Sequence, residues 1–377
     1  MGSCHSSSEE EEEKKIVFEN YDSSFIYSAI LVLYNIEKFK KFLIEKELPE
    51  DSKKKLSILL KKIFLKEEKK INLEKYSKRI YKILTEFYKL DVGKTPGKII
   101  IQILEILNYE ESKIVNSWDD LLIQNPQLFM NTCNQYSSFQ DYKNNYKNKN
   151  VNGITKLFFG DLLMRRKLNM NILYFYDSFC ALEINLKYCY DTFPFKGRNV
   201  KNPRTQKDEI HLLDCILDLK TANMGFYNGI PCLVEYHIFT PAPYLIIVFN
   251  RENENGTYYG NINFPDKINF FDLIINKENN KTYLYELVSI IKEKKYIVKK
   301  RNKNEKSEDI NDWVVDDGSN NNNKNDGVSD KYLAIFQKED KKYYYLDQEK
   351  KMRILKLGDL VDDYYIHILV YKNAEFK

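Results

Sequence analysis

The segment Tyr244-Leu-Ile-Ile-Val-Phe249 is an unbroken run of six apolar residues, and Pro241-Ala-Pro243 stands immediately before it. An apolar run of this length, rich in branched and aromatic side chains and bounded by proline and polar residues, is typical of a β-strand. The Asn255-Gly256 pair that follows is a strong hairpin signal, and another strand pattern comes after it at 258–262. The segment therefore predicts that this part of the chain is built on a β-sheet.

Strand patterns continue on both sides of this run. They lie at 158–163, 179–186, 232–239, 283–292, 332–337, 343–346 and 364–371. Between two of them, residues 299–330 carry dense charge and four consecutive asparagines at 320–323, a composition that predicts a disordered insertion. The second half of the chain is therefore predicted to be an antiparallel β region with one long insertion.

The first half of the chain has helical periodicity instead. The predicted helices lie at 25–43, 52–65, 73–88 and 96–107. Asp22, Ser23 and Ser24 are candidate caps of the first helix, and Pro96 stands at the first position of the last one, where its missing N–H is not needed. Residues 134–150 are polar with little periodicity and predict a surface loop. A helical half followed by a β half predicts the α+β fold class.

Composition excludes several classes of protein. With 43% hydrophobic and 14% aromatic residues among 377, the chain is too apolar to be disordered. The 59 basic and 55 acidic residues lie in short mixed runs, which argues against nucleic acid as a partner, because nucleic-acid binders concentrate positive charge. The six cysteines have no framework spacing, and no bilayer-spanning run or secretory leader pattern is present, so we expect an intracellular protein.

The N-terminal residues carry a lipidation pattern. Met1-Gly2-Ser3-Cys4-His5-Ser6 fits the N-myristoylation sequence, with Gly2 exposed once Met1 is removed. Cys4 is a candidate palmitoylation site, and two acyl chains anchor a protein stably where one gives only marginal binding. The acidic run Glu9–Glu13 is repelled by anionic lipid, which makes the second chain more necessary. We therefore expect attachment to the cytoplasmic face of a membrane; a chance match or the remnant of an expression tag is the alternative.

Several segments follow one another in a characteristic order: an apolar strand after proline, a Phe-Pro and Leu step, a Tyr-Glu-Leu strand, and closing strands rich in tyrosine. These segments are Pro241–Arg251, Asn263–Pro265 with Ile268–Leu273, Tyr285–Ile291, Lys331–Phe336 with Tyr343–Asp347, and Tyr364–Tyr371. The series resembles the ubiquitin-specific protease (USP) family of papain-like cysteine deubiquitinases. The same register sets Asp22–Leu31 beside the family's Asn-Thr-Cys helix start, so the resemblance covers about residues 16–372.

The resemblance implies a helical thumb followed by β fingers and a palm. In this interpretation residues 1–15 are an acylated acidic tail, 16–150 a thumb-like subdomain, and 151–377 a fingers and palm subdomain that contains the insertion at 299–330. Many members of the family hold zinc in the fingers with two Cys-x-x-Cys pairs. Here Leu168–Asn171 has no cysteine, and the second pair retains only Cys232. We therefore expect no structural zinc and no cofactor.

The family's chemistry needs a thiolate at a helix N-terminus, a histidine base, and an acid or amide that orients the histidine. The resemblance sets Ser24, Lys331 and Asp347 at these positions, and the oxyanion-donor position falls on Glu19, or on Asn20 if the register shifts by one. A serine hydroxyl is a weak nucleophile without a base, and Asp347 would hold Lys331 charged. We therefore predict that Ser24 caps its helix, that Lys331 and Asp347 form a salt bridge, and that the chain has no working catalytic centre.

These expectations lead to a catalytically inactive USP-like protein that binds a protein partner or serves as a scaffold at a membrane. The candidate occupants of the old substrate site are ubiquitin, a ubiquitin-like fold, or a structural partner that has taken over the same surface. The alternative is an active deubiquitinating hydrolase with an unorthodox nucleophile. A third candidate is an unrelated α+β scaffold protein.

Overall fold

Helices occupy the first part of the chain and strands most of the rest. The computed structural model describes residues 24–47, 55–66, 73–93, 95–111, 138–148, 151–168, 171–254, 256–275, 282–294, 297–300, 313–316, 332–346, 352–355 and 364–376, and every structural statement here refers to them. Helices and antiparallel strands together confirm the predicted α+β class.

The helices of the described residues include the four predicted from periodicity. They are α1 (Ser24–Tyr34), α2 (Glu37–Glu45), α3 (Lys55–Phe64), α4 (Leu73–Lys82), α5 (Pro96–Glu111), α6 (Phe139–Tyr142), α7 (Gly153–Phe158), α8 (Leu186–Thr192) and α9 (Leu212–Leu219), with π-helical turns at Ile83–Phe87 and Lys143–Lys147 and 3₁₀ turns at Pro194–Lys196 and Phe271–Leu273. The single helix predicted at 25–43 is wrong in one respect, because it is two helices. The Asn35 side chain donates to the Leu31 carbonyl (2.9 Å), and Ile36 has an extended backbone, so the chain turns there.

The strands of the described residues form one large sheet, one smaller sheet and three short pairs. They are β1 (Gly160–Leu168), β2 (Asn171–Phe179), β3 (Leu182–Asn185), β4 (Glu209–His211), β5 (Asn223–Tyr227), β6 (Ile230–Thr240), β7 (Tyr244–Asn250), β8 (Glu252–Asn253), β9 (Gly256–Thr257), β10 (Asn261–Asn263), β11 (Lys267–Asn269), β12 (Leu284–Lys294), β13 (Ile297–Lys300), β14 (Trp313–Asp316), β15 (Tyr332–Gln337), β16 (Tyr343–Leu346), β17 (Met352–Leu355) and β18 (Tyr364–Asn373).

The large sheet joins strands that are distant in sequence. Its order is β17-β16-β15-β12-β18-β7-β3, with β11 added beside β12, and every pair except β3 with β7 is antiparallel. The smaller sheet has the order β2-β1-β6-β5, and all of its pairs are antiparallel. β8 pairs antiparallel with β9, so a hairpin lies at the predicted place, although Gly256 is the first residue of β9 and not part of the turn.

The large sheet is buried on both faces, which explains the unbroken apolar run in β7. Successive side chains of a strand point to opposite faces. Tyr244, Ile246 and Val248 pack into the cluster that contains α1 to α5. The alternate residues Leu245, Ile247 and Phe249 pack into a second cluster with α8 and α9. The sheet therefore lies between the helical part and a second apolar layer.

The surface loop predicted at 134–150 is wrong over the described residues 138–148, where the chain forms α6 and a π-helical turn. Ser138 caps α6 by accepting from the Asp141 amide (3.2 Å). The Phe139 ring packs 4.3 Å from that of Phe239, and the buried Tyr142 donates to Asp161 (3.2 Å). Tertiary contacts with the smaller sheet thus order a segment that lacks apolar periodicity of its own.

Two predicted strands also need correction. Residues 153–158 are helical, because Asn152 caps α7 by accepting from the Thr155 amide (2.9 Å), so the strand predicted at 158–163 begins only at Gly160. Of the strand predicted at 258–262, only the part from Asn261 onward is a strand. Within the insertion predicted at 299–330, the described residues Trp313–Asp316 form β14, which pairs antiparallel with β13, and the prediction of disorder for the insertion stays a prediction.

No helix among the described residues is long and apolar enough to cross a membrane. The predicted division into a tail (1–15), a thumb-like part (16–150) and a fingers and palm part (151–377) stays a prediction. Residues Gly2 and Cys4, which carry the lipidation hypothesis, lie outside the described residues.

Candidate functional site

The first residue of α1 meets the first residue of β15. Ser24 is 1% exposed, and its Oγ accepts a hydrogen bond from the Tyr332 amide (3.3 Å), although the two residues are 308 positions apart. α1 consists almost wholly of apolar residues, so it is buried between the large sheet and the other helices, and its N-terminal end is carried to the start of β15. The helix N-terminus assigned to the nucleophile and the strand that follows the assigned base are therefore brought together.

The other assigned site residues lie outside the described residues: Lys331, Asp347, Glu19 and Asn20. Their described neighbours show part of the arrangement. Tyr332 begins β15 and Leu346 ends β16, and these strands pair antiparallel, so the start of one and the end of the other lie at the same end of the ladder. The predicted cap at Ser24 and the predicted ion pair between Lys331 and Asp347 stay predictions.

A histidine and carboxylate pair lies beside Tyr332. His367 Nε2 is in hydrogen-bond contact with Glu293 Oε2 (2.5 Å), and both side chains are largely shielded from solvent. The His367 ring stands edge-on to the Tyr332 ring, with 5.3 Å between centroids. In the sheet, Glu293 lies directly across from Tyr332 on one side and Tyr365 on the other. The pair is therefore next to the strand whose amide binds Ser24.

A β-bulge explains why sequence reasoning did not single out His367. The ladder between β12 and β18 pairs Ile291 with Ile368 and Lys292 with Ile366, so His367 is the extra residue between them. A bulge redirects a side chain away from the position that simple alternation predicts. A lone histidine in a strand pattern is no signal for such a pairing, and the distance of 74 residues to Glu293 hides it further.

A buried arginine supports the same region of the sheet. Arg251 donates to the carbonyls of Tyr258, Gly260 and Ile366 (3.1, 3.0 and 2.9 Å), and its guanidinium lies over the Tyr365 ring. Burial lowers the pKa of Arg251 to about 10, and the nearby Tyr258, Glu293 and Tyr365 oppose that shift. Arg251 thus ties the segment after β9 to β18 and places a second charge near the Glu293 carboxylate.

The described cysteines do not offer a substitute nucleophile. Cys180, Cys189, Cys215 and Cys232 are all buried and none is in a disulfide. Burial raises the pKa of Cys180, and contact with Cys189 together with burial raises that of Cys215. A thiol with a raised pKa holds little of the thiolate that attacks a carbonyl. Cys133, like Cys4, lies outside the described residues.

The described residues contain no group of three or more His, Cys, Asp or Glu side chains placed to hold a metal ion. Cys232, the one retained member of the family's second zinc pair, packs instead with Met164, Phe175 and Val234 in the small apolar cluster of the smaller sheet. An apolar cluster of this kind uses a cysteine as a small hydrophobic side chain. The prediction that there is no structural zinc stays a prediction for the chain as a whole.

Comparison with known proteins supports the fold. No protein-family model matches the chain, and no curated protein sequence matches it. Solved structures do match. The yeast SAGA DUB module with mutant Sgf73 has a TM-score of 0.55 and 14% identity, over 93% of this chain and 66% of that one. The SAGA Ubp8/Sgf11/Sus1/Sgf73 DUB module bound to ubiquitin aldehyde has a TM-score of 0.53 and 14% identity, over 94% of this chain and 68% of that one. The chain spans about two thirds of the length of the chains it matches.

At this level of identity the comparison concerns the fold alone. The structural neighbours have the fold of a USP deubiquitinase, and the chain shares their α+β architecture. This confirms the predicted USP-like fold. Activity, partners and anchoring have to be argued from the residues themselves.

Proposed function

We propose that this chain is a catalytically inactive protein of USP-like fold that acts by binding other proteins. It recognises ubiquitin or a ubiquitin-like fold on the former substrate surface, or serves there as a scaffold for a structural partner. Acyl groups on Gly2 and Cys4 hold it at the cytoplasmic face of a membrane. The observation that supports the loss of catalysis is that Ser24, the residue at the start of α1, is buried and hydrogen-bonded to the Tyr332 amide.

Ser24 has the features of a structural residue. A serine that attacks a carbonyl needs access to the substrate and a base that takes its proton. Ser24 is buried, and its Oγ accepts a hydrogen bond from the Tyr332 amide, so the side chain joins α1 to β15. The resemblance sets Lys331 at the base position, and an adjacent Asp347 would keep such a lysine protonated. These features favour a site kept for its shape.

The ubiquitin-bound form of a structural neighbour supports the choice of partner. The SAGA Ubp8 module has been solved with ubiquitin aldehyde, and this chain covers about two thirds of the corresponding chain. A concavity made for a protein and its extended tail is readily reused for docking without catalysis. Retention of the fold without the nucleophile is what such reuse requires.

A second candidate is an active hydrolase that uses residues of this chain in an unorthodox way. The observation in its favour is the His367 and Glu293 pair beside Tyr332, because a histidine oriented by a carboxylate is the base of a serine hydrolase. For this role His367 would have to reach Ser24 with its other ring nitrogen, Nδ1, while Nε2 keeps its contact with Glu293. The two candidates differ in whether the native chain forms a covalent bond with substrate.

Ubiquitin carrying an electrophile in place of its C-terminal carboxylate distinguishes the candidates. We expect no adduct with the native chain after long incubation, measured by intact-mass spectrometry. The double variant Ser24→Cys with Lys331→His supplies a thiol and a base at the family positions, and we expect it to react. Ser28→Cys is the matched control, since Ser28 is buried one turn further along α1.

An adduct on the native chain at Ser24 or at any cysteine would overturn the proposal. If that adduct disappeared in His367→Gln, the second candidate would be correct. Binding is tested separately, by titrating the native chain with ubiquitin and following backbone resonances of labelled ubiquitin. We expect shifts that saturate; unchanged resonances at saturating chain would leave a structural partner as the occupant.

The membrane anchor is tested by Gly2→Ala, which removes the myristoyl acceptor. We expect this variant to move from the membrane to the soluble fraction of cells, and Cys4→Ser to lower the membrane fraction partly, because a single acyl chain binds marginally. Ser3→Ala is the control and keeps both acceptors. An unchanged distribution of Gly2→Ala would show that the N-terminal pattern is a chance match.

A further inference from the structure

Strand β5, the turn after it and the first part of β6 lie in a stretch of sequence without charged residues. From Thr221 to Val234 there are fourteen consecutive residues without Asp, Glu, Lys or Arg, in a chain in which 30% of residues are charged. Lys220 and Glu235 close the stretch at either end. A surface stretch of this length without charge has no electrostatic barrier against a second surface of the same kind.

The uncharged hairpin exposes large apolar side chains at one edge of the smaller sheet. Met224 is 73% exposed and Phe226 69%, and both belong to β5. β5 is the last strand of the order β2-β1-β6-β5, and no strand of the described residues pairs with its outer side. Edge strands of natural proteins are commonly blocked by charged residues or proline, and β5 has neither.

The turn of the hairpin fixes which main-chain groups of β5 point outward. Asn228 and Gly229 both have positive φ (50° and 78°), as in a two-residue type I′ turn. In such a turn the flanking residues, here Tyr227 and Ile230, form a hydrogen-bonded pair, and the pairs then alternate along the ladder. The outward N–H and C=O groups of β5 are therefore those of Met224 and Phe226, the residues with the exposed side chains.

We propose that β5 pairs antiparallel with β5 of a second copy of this chain, about a two-fold axis at Gly225. In this register Met224 lies opposite Phe226 of the second copy, and Phe226 opposite its Met224. Each such pair exchanges two main-chain hydrogen bonds, and its side chains meet on one face of an eight-stranded sheet. The proposal does not depend on the function proposed above, since it invokes neither ubiquitin nor lipid.

The self-complementary sequence of β5 is the reason for choosing a second copy as the occupant. A two-fold axis brings each residue close to its own equivalents, so a charge in β5 would meet the same charge. Asn-Met-Gly-Phe-Tyr has none, and its apolar residues stand symmetrically about Gly225. Gly225 itself has no room for a side chain, because a Cβ there would lie 2.7 Å from Val234 Cγ2.

The apolar row continues behind the proposed contact. Within the hairpin, Met224 is paired with Leu233 of β6, which is also exposed, and Phe226 is paired with Pro231. The Phe226 carbonyl accepts a long hydrogen bond from Arg166 (3.4 Å). A carbonyl oxygen has two lone pairs, so it can accept a second hydrogen bond, from the other copy, at the same time. Two five-residue strands make a small interface, below about 1,200 Å², so we expect a weak, concentration-dependent dimer.

Sedimentation velocity of the full, unacylated chain over a concentration series tests the proposal. We expect the sedimentation coefficient to rise towards that of a dimer. Met224→Pro removes an outward N–H without removing a bond to β6, and Phe226→Lys places like charges across the two-fold axis, so each should weaken the dimer at least about tenfold. The matched control is Ile354→Lys, because Ile354 is 61% exposed on β17, an edge strand of the large sheet.

Each result decides for or against β5 pairing, provided that circular dichroism shows the variants folded. The proposal is overturned if the native chain stays monomeric up to its solubility limit, or if a dimer persists in both Met224→Pro and Phe226→Lys. It is also overturned if the native chain is monomeric while Phe226→Lys abolishes its binding to phosphatidylcholine vesicles, since the hairpin would then serve a membrane. Loss of the dimer in Ile354→Lys as well would show non-specific association.

Discussion

The helix-to-sheet core and the smaller sheet bury apolar side chains to very different extents. The core that joins α1 to α5 with the large sheet contains side chains from these five helices, from α7, and from β7, β12, β15 and β18. The smaller sheet has a cluster of only four buried residues, Met164, Phe175, Cys232 and Val234. Hydrophobic stabilisation scales with buried apolar area, so the first region carries most of the stability.

The contrast suggests how the two regions would divide the work of the proposed binding protein. The core holds Ser24, Tyr332, Glu293 and His367 in fixed relation, because each sits on an element that is packed on both sides. The smaller sheet relies on strand pairing and leaves large apolar side chains in water. A region with few buried contacts opens and adapts more readily. We therefore expect the core to define the shape of the site and the smaller sheet to supply adaptable contact surface.

The largest expected effect compares one phenylalanine from each region. Phe39 is fully buried and packs edge-to-face on Phe64 and Phe158, whereas Phe175 contacts Tyr227 and lies under the Arg166 guanidinium. We expect Phe39→Ala to lower the free energy of unfolding by about 4 kcal/mol and Phe175→Ala by roughly half as much, because a cavity in the small cluster is filled more easily. Urea unfolding measures both. Equal losses of unfolding free energy in Phe39→Ala and Phe175→Ala would contradict the difference between the two regions.

Within the helical part, a buried carboxylate, that of Glu110, is compared with an exposed one. Glu110 on α5 accepts from the amides of Leu56 and Ser57 at the start of α3 (2.9 Å each), and from the Ser57 and Tyr88 hydroxyls. Glu110→Ala leaves these donors without their acceptor, so we expect a loss of about 3 kcal/mol in the free energy of unfolding. Glu86→Ala is the control, since its exposed pair with Lys82 should contribute less than about 0.5 kcal/mol. A loss of similar size in both would refute the role of Glu110.

A pH-dependent effect on stability comes from Glu105, which lies on α5 near Glu183 of β3. Burial, with the neighbouring Glu183, raises the pKa of Glu105 from 4.5 to about 8. The unfolded chain therefore releases this proton near pH 4.5, while the folded chain keeps it until about pH 8, so stability falls as pH rises between these values. Glu105→Gln removes this loss, and we expect it to stabilise the fold increasingly as pH rises, by at least about 2 kcal/mol at pH 8 and by nearly nothing below pH 4.5.

Thermal and urea unfolding across that pH range measures the Glu105 effect. The control is Glu45→Gln, because Glu45 is exposed on α2 and makes only a surface ion pair with Lys41. If the free energies of unfolding of Glu105→Gln and the native chain differ by a constant amount from pH 4.5 to 8, Glu105 is ionised in the folded chain. Water then reaches its carboxylate between α5 and β3.

Periodic and local features were predictable from the sequence. The apolar run of β7 predicted a strand, and β15 and β16 have the predicted bounds, because alternation and apolar runs report directly on burial. The start of α5 at Pro96 was predictable because proline at the first helical position is a local rule. α6 was not predictable, since its order comes from contacts of Phe139 and Tyr142 with a sheet formed later in the chain.

The sequence by itself determined the α+β class, the position of the helical part before the β part, and the serine at the start of α1. These follow from residue type and from periods that repeat within a few residues. Only the tertiary structure decided that Ser24 lies against Tyr332, that a bulge turns His367 towards Glu293, and that β5 is an unprotected edge. Each of these depends on strand order and register, which bring together residues far apart in the chain, and no local pattern encodes them.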